Sequence, residues 1–212
     1  MRYSIITPTL ARESLLKTCE SIDNQTNPDW QHVIMVDVAL IAFPEKKKVI
    51  DAVRKDPRRK IVRCGKQHKD FGNTCRYNAY EYCSGDYVLF LDDDDVYADN
   101  KVLETLNQVT KPWATFPTLK QGVYYSSEPG LNRMGSGMFM HRREIGRYPC
   151  ASHLEGYEEI IARLKPSYQN MTMHQFLYAS DGLLTEYLKE RYPFEALNCR
   201  ALTIYESAQK GA

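Results

Sequence analysis

No apolar run in this chain approaches the ~20 residues that a membrane-spanning helix needs. Any membrane contact would have to come through a partner or through further sequence. Net charge is also missing: 28 Lys and Arg stand against 27 Asp and Glu, a formal +1 at pH 7. A nucleic-acid-binding domain is ordinarily strongly basic, so no nucleic-acid partner is expected. The first residues, MRYSIIT, are strand-like and carry no signal-peptide pattern. Six cysteines are present (Cys19, Cys64, Cys75, Cys83, Cys150 and Cys199), but none forms a CxxC pair or another zinc-like spacing. A chain of 212 residues needs no disulfides to hold its core. The cysteines therefore read as reduced, mostly buried thiols of a soluble, cytoplasmic protein. Repeats, low-complexity segments and a Pro/Gly/Ser-rich linker are absent too. One domain over residues 1–212 is expected, either alone or as a piece of a longer chain.

What remains is an ordinary globular composition, with 43% hydrophobic residues. Tyr3–Thr7, Gln31–Asp37, Lys60–Arg63 and Asp86–Leu91 read as strands. Between them Glu13–Asn24, Glu45–Lys55 and Asn73–Cys83 carry helical periodicity, for instance Leu15, Leu16, Cys19 and Ile22 on one face. Apolar strands alternating with helices predict an α/β fold, a mostly parallel sheet covered by helices on both faces. The second half is less regular. Helices are expected at Val102–Val109, Leu154–Leu164 and Leu183–Glu190, and strands at Trp113–Phe116, Gly122–Tyr125, Gly137–His141 and Leu202–Tyr205. The basic cluster from Lys46 to Lys60 reads as a solvated helix face and turn, or as a patch for an anionic partner.

Ligands of open parallel sheets bind beyond the carboxyl ends of the strands. Thr7, Asp37 and the run starting at Asp92 all fall at such ends. The run is the most informative segment: the strand Tyr87–Leu91 leads straight into Asp92, Asp93, Asp94 and Asp95. Four adjacent carboxylates repel one another unless positive charge offsets them. Hard oxygen ligands on a short loop suit Mg²⁺ or Mn²⁺, with phosphate oxygens completing the shell. Such a metal can hold a nucleoside diphosphate and, as a Lewis acid, stabilise the charge that builds on it as a glycosidic bond breaks. The reaction then needs a base for the acceptor hydroxyl.

These residues resemble family-two glycosyltransferases of the GT-A fold. The likeness runs through Ser4–Arg12, Leu15-Leu16, Glu20–Ile22, Gln25-Thr26, Val33–Asp37, Gly72–Asn78 and Ser84–Asp95, which resembles the family's DxD segment. It covers residues 1–97 well and the remainder weakly. It implies an inverting transferase with a nucleotide-sugar-binding half (1–97) and an acceptor-binding half (98–212). A UDP-sugar is the favoured donor, and a glycan or glycoprotein hydroxyl the acceptor. By position, Thr7 and Asp37 would contact the base, Arg76 the nucleotide or its phosphates, and Asp92 and Asp93 the ribose and donor sugar. Asp94 would bind the metal, Mn²⁺ or Mg²⁺, with His174 as a late ligand near the pyrophosphate. The short form is also similar to glycosyltransferase domains of viral capsid-glycosylating proteins, which implies a glycan acceptor in a host cytoplasm.

Two features depart from the family pattern. Asp37 is followed by Val38-Ala39-Leu40 rather than by an acid and a Gly-Ser pair, which loosens the preference for uridine. Where a Glu-Asp pair usually opens a helix facing the acceptor, this chain has Glu155-Gly156. The base is then Glu155, Glu158 or Glu159, with Glu155 nearest the helix start. Gly135-Ser136-Gly137 resembles a small-residue turn that lets a sugar approach the backbone. Trp113, Tyr124, Tyr125 and Tyr157 are candidates for stacking on sugar rings. Two other classes compete. A nucleotidyltransferase would carry a glycine-rich first loop, but Thr7-Pro-Thr-Leu-Ala has no glycine. A non-catalytic nucleotide-sugar binder is the reading that Gly156 invites.

Overall fold

Strands in the first ninety residues are apolar almost without interruption because helices cover both of their faces. The computed structural model describes residues 1–125, 128–130, 134–164, 166 and 179–205. Among them, β1 (Tyr3–Thr9), β2 (Trp30–Val36), β3 (Arg59–Arg63) and β4 (Tyr87–Phe90) run parallel. Further strands are β5 (Asp95–Tyr97), β6 (Trp113–Thr115), β7 (Thr118–Lys120), β8 (Val123–Tyr125), β9 (Phe139–Arg142), β10 (Phe194–Ala196) and β11 (Thr203–Tyr205). Seven strands form the central sheet in the order β10-β6-β9-β4-β1-β2-β3. In it β9 alone is antiparallel to its neighbours. A smaller sheet has the order β5-β11-β7-β8.

The helices are α1 (Ser14–Asp23), α2 (Pro44–Val53), α3 (Asn73–Ala79), α4 (Val102–Leu106), α5 (Glu158–Leu164) and α6 (Ser180–Arg191). Side chains alternate along a strand, so each strand feeds two cores. Ile6, Val33, Met35, Val88 and Phe90 pack with Cys75 and Ala79 of α3 and with Leu183, Leu184 and Leu188 of α6. On the opposite face Ile34 and Val36 meet α1 and α2, while Ile5 and Leu89 meet Ile22 and α4. Each fully buried aliphatic side chain contributes about 1.5–3 kcal/mol. Gly85 has a local reason: a Cβ there would lie 2.6 Å from the Ser4 amide nitrogen. The open space lets the Gly85 N–H donate to Ser4 Oγ at 2.9 Å and sets the start of β4 against β1.

The expected elements of the first half all appear, with ends shifted by one or two residues, except that the third helix tightens into a 3₁₀ turn at Tyr80–Tyr82. β5, β7 and β10 are additions, each only three residues long. Trp113 is not available to a sugar: it is fully buried, stacks on Phe194 at 4.8 Å and donates Nε1–H to the Tyr192 carbonyl. Lys47, Arg58 and Arg59 pair with Asp51, Asp56 and Asp23, so the basic cluster is in part self-neutralised. No helix among the described residues is long and apolar enough to cross a membrane.

Candidate active site

Backbone hydrogen bonds carry the sheet ladder one residue past its strand ends. Asp37 N–H donates to Thr9 O at 2.8 Å, and Leu91 N–H donates to Ile6 O at 3.1 Å. This sets Asp37 and the acid run on the carboxyl edge of the sheet, the side the sequence pattern predicts. Two cavities open there, of about 320 and 490 Å³, and both are lined by Phe71, Arg76, Asp92 and Tyr205. The larger one adds Asp37, Thr9, Arg12, Asp93 and Asp94. The smaller one adds Tyr125, Gly135, Tyr148 and Asp181.

The four aspartates have four different settings. Asp92 pairs with Arg76, whose other terminal nitrogen donates to Phe71 O at 2.7 Å. Asp93 is buried and takes hydrogen bonds from Arg12 and from Thr9 Oγ1. Asp94 is partly exposed, with Arg12 Nη1 at 3.2 Å. Asp95 is fully buried with no hydrogen-bond partner on its carboxylate among the described residues. Burial, together with Asp92 and Asp94, pushes it up to about 9, so it keeps its proton at neutral pH. This corrects the electrostatic argument from sequence. Two guanidiniums and one retained proton already offset much of the run's charge, so the run does not require a metal in order to fold.

Arg76 is buried at 4% exposure rather than lying on a helix surface, and its guanidinium sits 5.1 Å from the centre of the Tyr148 ring. Gly72 makes this possible. It takes φ 79° just before α3, where a Cβ would meet Pro8 at 2.8 Å and Arg76 Nη1 at 3.2 Å. Thr7, by contrast, does not reach either cavity. It is fully buried, donates to Leu91 O at 2.7 Å and accepts from His32 at 2.9 Å. Its hydroxyl is spent inside the sheet, and Thr9, two residues on, takes the place at the edge.

Glu155 also departs from its expected place. α5 begins at Glu158, so Glu155 is outside the helix. It lines a separate cavity with Tyr77, Arg147, His153, Tyr157 and Tyr187. Gly156 takes φ 84° and donates its N–H to Glu158 Oε2 at 2.8 Å. Glu158 and Glu159 are exposed on α5 and line neither of the two cavities. His174 and Arg133 lie outside the described residues. Gly135 and Gly137 are small because β11 packs on them: a Cβ on Gly135 would meet Tyr205 Oη at 2.9 Å. Tyr125 lines the smaller cavity, Tyr124 is exposed and donates to Cys199 O, and Tyr157 is buried with its hydroxyl on Arg147 O.

In the smaller cavity the acid beside Arg76 and Asp92 is Asp181, in the first turn of α6. Asn73 Nδ2 donates to Ser180 Oγ at 3.0 Å, tying the start of α6 to the start of α3. Tyr148 Oη donates to Asp181. Burial raises Asp181 to about 6, against the pull of Arg76 and of the Tyr148 hydrogen bond, with Asp92 adding to the rise. The sequence reading missed it by starting this helix at Leu183. The available signal was an acidic residue one step past Ser180, a start pattern for a helix.

A family model described as "Glycosyl transferase family 2" matches residues 4–164. The chain belongs to glycosyl transferase family 2. It is therefore a glycosyltransferase, with a GT-A-like fold around a mixed central sheet. Over 95 residues it is 33% identical to the GalNAc(5)-diNAcBac-PP-undecaprenol beta-1,3-glucosyltransferase of Campylobacter jejuni. That match covers 44% of this chain and 30% of the relative. Among solved structures, S. aureus TarS 1-349 in complex with UDP-GlcNAc superposes with a TM-score of 0.66 at 16% identity, over 96% of this chain and 58% of that one. The mannosyltransferase PcManGT of Pyrobaculum calidifontis, in complex with GDP-Man and Mn²⁺, gives 0.65 at 14% identity, over 99% and 58%. At these identities the two structures speak for the fold. The chain spans under two thirds of the length of each of these proteins.

Proposed function

We propose that this glycosyltransferase moves a sugar from a nucleotide-diphosphate sugar, a UDP-sugar by preference, to a hydroxyl of a glycan, with inversion and with a divalent metal. The observation that carries the reading is the pair of adjoining cavities joined at Arg76 and Asp92, with Asp94 in one and Asp181 in the other. UDP is favoured because TarS is described with UDP and with UDP-GlcNAc. A glycan acceptor is favoured by the name of the Campylobacter relative. Residues 1–97 form the donor side and later segments the acceptor side of one domain.

The donor set fits Mn²⁺ or Mg²⁺. Asp94 offers hard oxygen atoms at the cavity, and its present counter-charge is the half-exposed side chain of Arg12, which also pairs with Asp93. Asp94 would hold the ion, with His174 as a further candidate ligand, and the ion would stabilise charge on the departing diphosphate. The chain's own groups do the rest. Arg76, fixed by Phe71 O and Asp92, keeps a positive charge at the junction of the cavities. Asp37 lines the larger cavity and would accept from a nucleobase N–H there. Asp92 and Asp93 border the space for ribose and donor sugar.

Asp181 replaces Glu155 as the proposed base. At about 6, its carboxyl is ionised at neutral pH yet more basic than an ordinary aspartate. It would take the acceptor proton as the hydroxyl attacks the anomeric carbon from the face opposite the diphosphate. Asp181→Asn should lower kcat by about 10²–10⁴-fold, the usual worth of a general base, while UDP still shifts the melting temperature as in wild type. Glu155→Gln should stay within a few-fold of wild type. Near-normal turnover in Asp181→Asn would reject this base.

A further inference from the structure

Away from the acid run, four side chains with metal-ligating atoms converge. Asp37 follows β2, Cys64 follows β3, His68 lies in the next loop and Cys75 is in the first turn of α3. Their ligand atoms all lie within 4.8 Å of one another. Cys64 Sγ is 3.2 Å from Cys75 Sγ, and His68 Nδ1 is 2.6 Å from Asp37 Oδ1. The sheet builds this convergence. Cys64 N–H donates to Val36 O at 3.0 Å, so Asp37 and Cys64 each stand one step beyond adjacent parallel strands. Asp37 and Cys75 are buried, while Cys64 and His68 are half-buried and leave a side open for entry.

Two thiolates, one imidazole and one carboxylate match zinc in number and in donor type. Tetrahedral bonds of about 2.3 Å to sulfur and 2.0–2.1 Å to nitrogen and oxygen place the sulfurs about 3.8 Å apart, and nitrogen and oxygen about 3.3 Å apart. These two separations would open by less than about 1 Å, and the longest separations in the group would close by about 1 Å, to reach that geometry. The loop itself calls for a fastener. Lys69 and Phe71 hold φ of 57° and 60°, in the left-handed region that non-glycine residues avoid. Such residues are strained and persist where the surroundings over-determine them. Ligands before, within and after this loop would do so.

We propose that Asp37, Cys64, His68 and Cys75 form a structural Zn²⁺ site that fastens the ends of β2 and β3 to α3. Cys75 directly precedes Arg76, so the same site holds the cation at the junction of the two cavities. One Asp37 oxygen on zinc leaves the other for a nucleobase. The site shares Asp37 with the proposed donor pocket, but sugar transfer does not require it, so its failure would leave the transferase reading untouched.

The test uses the whole chain, purified under reducing conditions without chelator. Metal analysis should give about one zinc per chain, and chelation should lower the melting temperature. Chelated protein reloaded with Co²⁺ alone should show intense tetrahedral bands together with thiolate-to-cobalt charge transfer. That spectrum should survive Asp94→Asn and be lost in Cys64→Ser. His68→Asn, at a half-buried position, should release zinc to chelator at least about ten-fold faster. If Cys64→Ser does not fold, the wild-type zinc content and cobalt spectrum decide alone. Wild-type protein that holds no zinc and gives a cobalt spectrum without thiolate bands would overturn the site. So would zinc-free protein with Cys64 and Cys75 joined in a disulfide.

Discussion

The proposed donor side and acceptor side of this molecule hold their candidate residues by different means. On the donor side Asp37 and Asp92 follow buried parallel strands whose ladders run past their ends. On the proposed acceptor side Asp181 depends on a helix, α6, held by an aromatic and aliphatic core and by hydrogen bonds from Asn73 to Ser180 and from Tyr148 to Asp181 itself. Strand ends give positions fixed by backbone geometry. A helix packed on a core gives a position fixed by side chains from distant parts of the chain. The donor side should therefore respond to substitutions of charge, and the acceptor side to substitutions of packing as well.

The largest expected effect tests the donor side. Asp94→Asn keeps the shape of the loop and removes a carboxylate charge at the cavity. We expect metal-dependent stabilisation by UDP to vanish and transfer to fall below detection, with the melting temperature of the ligand-free chain nearly unchanged. Calorimetric titration of UDP with and without Mn²⁺ reads this directly. If Asp94→Asn binds UDP with undiminished metal dependence, the division of roles between the two sides is wrong.

Next in size is a packing change on the acceptor side. Trp113 lies at zero exposure between Phe194 and the centre of the sheet. Trp113→Ala should cost about 3–5 kcal/mol, as for other large-to-small aromatic truncations, and should be visible as a lower urea midpoint. Because the Trp113 indole also fixes the Tyr192 carbonyl after α6, the variant should lose kcat at temperatures where it is still folded. A loss of stability with kcat intact would mean that α6 keeps its place without this core.

The same contrast decides what could be read from sequence. Strands buried on both faces print continuous apolar runs, so the first-half elements, and with them the edge position of Asp37 and of the run from Asp92, were legible before any coordinates. The three-residue strands β5, β7 and β10 carry too little pattern, and only pairing with distant partners makes them strands. Thr7 failed because a residue at a strand end can face the neighbouring strand as easily as the cleft, and here His32 claims it. Glu155 lies away from the two cavities because Gly156 turns the chain before α5 begins, and the acid in the smaller cavity comes from α6 instead. The Cys64–Cys75 pair was invisible for a related reason. Linear spacing looked unlike a zinc motif, while the fold brings in Asp37 from another strand.

The smallest effect acts within the proposed acceptor side, through the hydrogen bond from Tyr148 to Asp181. Asp181 is raised to about 6 by burial, and the Tyr148 hydroxyl works against that rise by donating to the ionised form. A base must be unprotonated, so kcat should climb as pH rises through about 6 and level off above it. Tyr148→Phe removes a bond that favours the charged carboxylate, so the folded pKa should move up and the limb should move to higher pH. A hydrogen bond worth about 0.5–1.5 kcal/mol corresponds to roughly 0.4–1.1 pH units. Above the shifted limb the variant should approach wild-type turnover, because phenylalanine keeps the ring beside Arg76. A uniform drop in kcat at all pH values, with the limb unmoved, would instead make Tyr148 a packing residue and leave Asp181 to be tuned by burial and Arg76 alone.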